Sequence, residues 1–195
     1  MLQKCTQPFL LSLVETSTFV THEILLMSHT ATLIMNARQI EQRINRLAWQ
    51  ILEHCNEEGS IVIAGIEKNG IVIAARIAKI LKEISQFDIV VCSVKLGKDA
   101  PLEQPAVISI PSDQLRDKTV IVVDDVSNSG RTLMYSVKAF LNQPVKGILT
   151  CVLVDRDHTR FPVKTNFVGL SLATTMQEHI RVELPENGDA SVFLE

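Results

Sequence analysis

Four almost uninterrupted apolar runs, Ile61 to Ile66, Ile89 to Val94, Val120 to Val123 and Gly147 to Val154, recur along the chain. Runs of this length, bounded by turn residues, fit strands buried on both faces of a sheet. The segments between them carry a helical period. Asn36 is placed to cap a helix in which Ile40, Ile44, Leu47, Ala48, Ile51 and Leu52 share one face, with its end expected near Gly59. Ile71 to Ile84 and Thr132 to Leu141 read as further helices. Strands alternating with helices require crossover connections, so the pattern predicts an α/β fold with a parallel central sheet and helices on both faces. At the carboxyl end, Ile180, Val182 and Leu184 alternate, and the turn signal Asn187, Gly188, Asp189 separates them from Val192 to Leu194. That spacing predicts a terminal hairpin.

With 195 residues the chain fits one domain with a core of useful size. Cys5, Cys55, Cys92 and Cys151 form no CxxC pair and have no histidine at ligand spacing, so they read as reduced, buried thiols rather than a zinc site or disulfide framework. A net charge of -3 gives no global case for nucleic-acid binding and leaves small anionic substrates open. No apolar run reaches the roughly 20 residues that span a bilayer, which argues against a membrane protein. Pro8 to Val14 is a poor signal peptide, and the expected location is the cytoplasm. Met27 offers a second start just before regular patterning begins, so residues 1–27 read as an extension and 28–195 as the domain.

The segment Val120 to Thr132, VIVVDDVSNSGRT, carries the chemistry. Asp124 and Asp125 are expected to end a buried strand and so emerge at the carboxyl edge of the sheet, where open α/β folds bind ligands. Carboxylates there can accept hydrogen bonds from vicinal hydroxyls. The small residues Ser127, Ser129 and Gly130 let successive backbone N–H groups converge, and the next helix adds its positive end. A helix terminus contributes only about 0.3–2 kcal/mol toward an anion, so the loop, with Val126, Asn128, Arg131 and the hydroxyls of Ser127, Ser129 and Thr132, must do most of the binding. Two acids alone read as a solvated turn. Two acids beside an anion cradle read as a site for a ribose 5-phosphate, with hydroxyls on the acids and phosphate on the loop. The segment is neither GxxxxGK[ST] nor GxGxxG. A second turn, Glu67, Lys68, Asn69 and Gly70, lies between a strand and a helix start and is another potential anion site.

In this pattern the chain resembles the type I phosphoribosyltransferases, whose signature is four apolar residues, two acids and a small-residue loop. It is most similar to the pyrimidine operon attenuator and uracil phosphoribosyltransferase (PyrR) family. The residues carrying the likeness are GIEKNG at Gly65 to Gly70, DKTVIVVDDVSNSGRT at Asp117 to Thr132, LVDRDHTRFPV at Leu153 to Val163 and NFVG at Asn166 to Gly169, within about four fifths of the chain. The resemblance implies the type I phosphoribosyltransferase fold with a small hood from the termini. It implies nucleotide salvage from 5-phosphoribosyl-1-pyrophosphate (PRPP) and a free nucleobase, here uracil.

Site residues follow from the same likeness. Asp124 and Asp125 would be catalytic, Val126 to Thr132 would hold the 5-phosphate, and Glu67, Lys68, Asn69 and Gly70 would hold pyrophosphate. Asp155, Arg156, His158, Phe167 and Val168 would line the base pocket, although Asp155, Arg156 and His158 alone read as a salt-bridged turn and Phe167 alone as core. Mg2+ would be held by substrate oxygens, touching Asp124 and Asp125 through water. A homodimer or larger homo-oligomer is implied. So are two alternatives, a pyrimidine-sensing RNA-binding regulator, which the acidic balance counts against, and a non-catalytic nucleotide-binding paralogue. The sequence departs from the family at Asn128, where purine-transferring relatives carry an aspartate, and at Asn69, where a basic residue is expected. It departs again at Lys95 to Lys118, a breaker-rich stretch expected to act as a lid but lacking the family's tyrosine-arginine-acid pattern.

Overall fold

Residues 31–96, 106–157, 160–175 and 177–195 are described by a computed structural model. In chain order its elements are β1 (Thr32–Met35), α1 (Ala37–His54), β2 (Ser60–Ile66), α2 (Asn69–Ile84), β3 (Asp88–Lys95), β4 (Val107–Ile108), a 3-10 turn (Ser112–Leu115), β5 (Thr119–Ser127), α3 (Arg131–Leu141), β6 (Gly147–Asp155), β7 (Phe167–Ser171), β8 (Ile180–Glu183) and β9 (Ser191–Leu194). The reading of residues 1–27 lies outside the described residues, as does His158.

A six-stranded sheet runs β4-β3-β2-β5-β6-β7, with β2, β3, β5, β6 and β7 parallel and β4 antiparallel to β3. Side chains of a strand alternate between faces, and the core divides accordingly. Ile61, Ile63, Ile121, Val123 and Cys151 face α1 and α2. Val62, Ala64, Val120, Val122 and Val152 belong to the other cluster, with Leu133 and Phe140 of α3. Helices therefore cover both faces, as the apolar runs require. In α1, Ile40, Ile44, Leu47 and Ile51 are fully buried, each worth about 1.5–3 kcal/mol relative to exposure. The helix begins at a capping box: Gln39 N–H donates to Asn36 Oδ1 at 3.0 Å, and Asn36 N–H donates to Gln39 Oε1 at 2.9 Å. It ends at His54, before the expected Gly59, because the chain turns at Cys55.

A second, antiparallel sheet, β1-β9-β8, joins the first described strand to the terminal hairpin and forms the hood. The proposed lid needs correction over its described half. Residues 106–118 are anchored there by pairing of β4 with β3 and by buried Leu115; residues 97–105 lie outside the described residues. Among the described residues no helix is long and apolar enough to cross a membrane.

Candidate active site

Strand β5 does not end at the two acids; pairing with β6 continues through Ser127, opposite Asp155. This corrects the expected boundary and has a geometric consequence, because adjacent residues of a continuing strand face opposite sides of the sheet. Asp124, 6 % exposed, lines a cavity of about 40 Å³ with Val126, Ser127, Asn128, Ser129, Gly130, Arg131, Thr132 and Leu133. Asp125 turns toward α2 and the hood. Its Oδ2 accepts a hydrogen bond from Asn69 Nδ2 at 2.7 Å, and its Oδ1 accepts from Val126 N–H at 2.8 Å. Asp124 Oδ1 accepts from Asp125 N–H at 3.0 Å.

The loop after β5 is shaped by its smallest residue. Gly130 adopts φ +77°, a left-handed conformation that costs glycine little, and it turns the chain into the start of α3. The Ser127 side chain is buried in this cradle, and its hydroxyl has no hydrogen-bond partner among the described residues. An unmet buried hydroxyl is costly, so its presence on the wall of a polar cavity fits a ligand that completes it. Arg131 lies over the Tyr135 ring at 5.9 Å, and Ser129 O accepts from the N–H groups of Arg160 and Phe161.

The turn before α2 sits directly against this edge. Lys68 has φ +74° and ψ −119°, a conformation that costs a residue with a Cβ about 1–3 kcal/mol and collects at functional sites. A Cβ on Gly70 would stand 2.7 Å from the Val123 carbonyl oxygen and 3.4 Å from Asp124 Cα, so only glycine lets the turn approach so closely. Glu67 N–H donates to Val94 O at 3.1 Å and fixes the other side of the turn. Asn69 and Gly70 are thereby brought against the two acids, while Lys68 precedes them in the turn and Glu67 is tied to β3.

The proposed base-pocket residues separate. Arg156 is 3 % exposed and acts as a strut; among the described residues it makes no salt bridge. Its guanidinium donates to Asn128 Oδ1 (2.8 Å), Thr174 Oγ1 (2.8 Å) and Thr175 O (2.9 Å), while its N–H donates to Ser127 O (3.0 Å). Asp155 Oδ1 accepts from Asp157 N–H at 3.3 Å. Phe167 is buried against His54 of α1, ring centroids 5.6 Å apart and edge to face, so it packs in the core and is not placed to stack on a base. Val168 is half-buried against the α3-side cluster. Thr174 and Thr175 were not anticipated from sequence; they lie 18 and 19 residues from Arg156, in a stretch without periodicity. The turn that holds them is closed by Glu178, whose carboxylate accepts from Thr175 N–H at 2.6 Å and is held below its ordinary pKa by that bond.

Known proteins resemble this chain along most of its length. A model of the phosphoribosyl transferase domain matches residues 31–187. The bifunctional protein PyrR of Pediococcus pentosaceus is 33 % identical over 171 residues, covering 83 % of this chain and 96 % of that protein. The bifunctional protein pyrR of Enterococcus faecalis is also 33 % identical, over 80 % of this chain and 92 % of its own. Among solved structures, a hypoxanthine-guanine phosphoribosyltransferase from Bacillus anthracis superposes with a TM-score of 0.61 at 21 % identity, covering 72 % of this chain and 81 % of that one, a likeness of fold.

Proposed function

The chain belongs to the phosphoribosyl transferase domain family, and from that premise we propose that it joins the phosphoribosyl group of PRPP to a free nucleobase, with uracil as the acceptor. The observation that carries the reading is the cavity shared by Asp124 and the Val126 to Leu133 segment, with the unpartnered Ser127 hydroxyl on its wall. The 5-phosphate takes the loop amides and hydroxyls, and the ribose hydroxyls take the carboxylates of the β5 edge. A base nitrogen attacks the anomeric carbon, forming the C–N bond as the C–O bond to pyrophosphate breaks; the nitrogen's proton is lost to solvent. The transition state resembles an oxocarbenium ion, so Asp124 and Asp125 act through their negative field as well as by holding the sugar. The Lys68 turn receives the pyrophosphate.

Asp124 and Asp125 are hard oxygen donors, the chemistry that suits Mg2+ reached through water. When bound, the ion neutralises charge on the leaving pyrophosphate. Uracil is favoured by the PyrR-like segments and by Asn128, whose amide oxygen is engaged by Arg156 and presents no carboxylate to a purine nitrogen. A cytoplasmic location and a homo-oligomer belong to the same reading.

The test is pyrophosphate release from PRPP, Mg2+ and a panel of free bases. Uracil should be turned over, and Asp124→Asn combined with Asp125→Asn should abolish turnover without changing the circular dichroism melt. Unchanged activity in that double variant would remove the ribose site.

A second reading, an RNA-binding regulator, is favoured by one feature. The outer face of α1 carries an open groove of about 680 Å³ lined by Arg38, Glu41, Gln42, Asn45, Arg46, Trp49 and Ile80, in which a half-exposed indole stands among two arginines. Trp49 is the single tryptophan of the chain. RNA binding there would quench its fluorescence, and the affinity would fall steeply with added salt. Fluorescence unmoved by pyrimidine-operon leader RNA at low salt would exclude this face.

A further inference from the structure

We infer that Asn69 is a positioning residue, whose side-chain amide sets the orientation of Asp125 and ties that orientation to the hood. The inference rests on the reading of Asp125 as a ribose-binding carboxylate. Asn69 opens α2, and its side chain reaches across two sheets. An amide nitrogen has two protons to give, and Asn69 Nδ2 has two acceptors. One is Asp125 Oδ2 at 2.7 Å, 56 residues away; the other is the carbonyl oxygen of Val182 on β8 at 2.9 Å, 113 residues away.

Three features separate this from an ordinary surface tie. First, the terminal torsion of an aspartate is broad, so a carboxylate needs two donors to be held at one angle. Asp125 has them, Asn69 on one oxygen and Val126 N–H on the other. Second, a bond from N–H to an ionised oxygen is among the stronger hydrogen bonds, and this one lies in a half-buried setting. Third, the donor itself has little freedom. It is carried between Lys68, strained at φ +74°, and Gly70, wedged against the Val123 carbonyl, so the backbone that bears the amide cannot drift without moving the turn. Because its second proton holds β8, displacement of the hood changes the donor that Asp125 sees. One of the positions at which the sequence departs from the pattern its resemblance implies is thus the one that links hood and acid.

Deleting the amide should lower kcat, because the carboxylate loses its fixed angle when the sugar is in its reactive geometry. Losing one hydrogen bond to a charged group predicts a fall of about 10- to 100-fold in Asn69→Ala. KM for uracil should stay within about two-fold. Asn69→Leu, similar in volume but unable to donate, should behave alike and provides a second variant with the space filled.

The deciding measurement is a cycle of Asn69→Ala and Asp125→Ala, read as PRPP affinity by titration calorimetry on the full chain. If the amide acts through Asp125, Asn69→Ala weakens the wild type but has no further effect once Asp125 is gone. Equal, additive losses in both backgrounds would overturn the inference, as would full turnover in Asn69→Ala and Asn69→Leu while Asp125→Ala is inactive. Full turnover in Asp125→Ala would overturn the underlying ribose reading and this inference with it.

Discussion

Replacing Gly70 by alanine sets two backbone effects against each other. In a helix interior alanine is favoured over glycine by about 1 kcal/mol, and less at a second helical residue, so propensity alone predicts a more stable protein. The structure predicts the reverse. The added Cβ would lie 2.7 Å from Val123 O, about 0.7 Å short of the 3.4 Å at which ordinary contact begins, and its neighbour is backbone of a central strand that cannot rotate away. Overpacking of this kind costs about 1–3 kcal/mol, leaving a net loss of roughly 0–2 kcal/mol and a melting temperature lower by up to about 8 °C. Activity should fall further than stability, because relief of the clash pushes the Lys68 turn off the edge that carries Asp124 and Asp125. A displacement near 1 Å costs on the order of 100-fold, so kcat/KM for PRPP should drop about 10- to 100-fold. Gly59→Ala is the control, since a Cβ there meets nothing within 4 Å. Thermal denaturation and pyrophosphate release on the same preparations decide the matter. A Gly70→Ala protein that melts higher and retains its kcat/KM would refute the proposed contact between turn and strand.

Two other expectations follow from buried groups. Arg156→Ala leaves Asn128 Oδ1, Thr174 Oγ1 and Thr175 O without their donor, and should destabilise the protein by about 3 kcal/mol in urea titration while raising KM for PRPP more than KM for uracil; Arg156→Lys should not restore it, because an ammonium cannot span the same fork of acceptors. Burial pushes the thiol of Cys151 from 9.0 up to about 12, and those of Cys55 and Cys92 to about 11. The folded state therefore keeps protons that the unfolded chain releases, so this contribution to stability is fully present below about pH 9 and is lost as pH rises through 11–12. Alkaline urea titrations should show that decline, and serine replacement of all three cysteines should flatten it.

Strands β2, β3, β5 and β6 were readable because a strand covered on both faces has no polar side to interrupt it. Strands β1, β4 and β7 lack that constraint. Strand β1 has two exposed residues of four, and β4 contains only two. In β7, Gly169 breaks the apolar pattern for a reason that lies in another strand: a Cβ there would stand 2.4 Å from Leu153 O on β6. A glycine that reads locally as a break is here the condition for close pairing. Phe167 packs as its residue type alone suggests, and not as the resemblance implies: the first residue of β7 lies under α1, against His54.

The candidate site divides along the same line. The anion cradle is contiguous in sequence, so strand, small turn and helix start, Asp124 through Thr132, disclose it together. What holds the cradle comes from elsewhere: Arg156 reaches Asn128 across 28 residues, and Asn69 reaches Asp125 across 56. No local spacing encodes such pairs, and each partner taken alone reads as an ordinary polar residue. The continuation of β5 to Ser127 matters most, because it makes two adjacent acids unequal. Asp124 lies on the cavity side with the Ser127 hydroxyl, whereas Asp125 lies on the hood side with the Asn69 amide. A sugar lying across the edge of the sheet would then be gripped from both faces of one strand, each carboxylate supported by a different part of the chain.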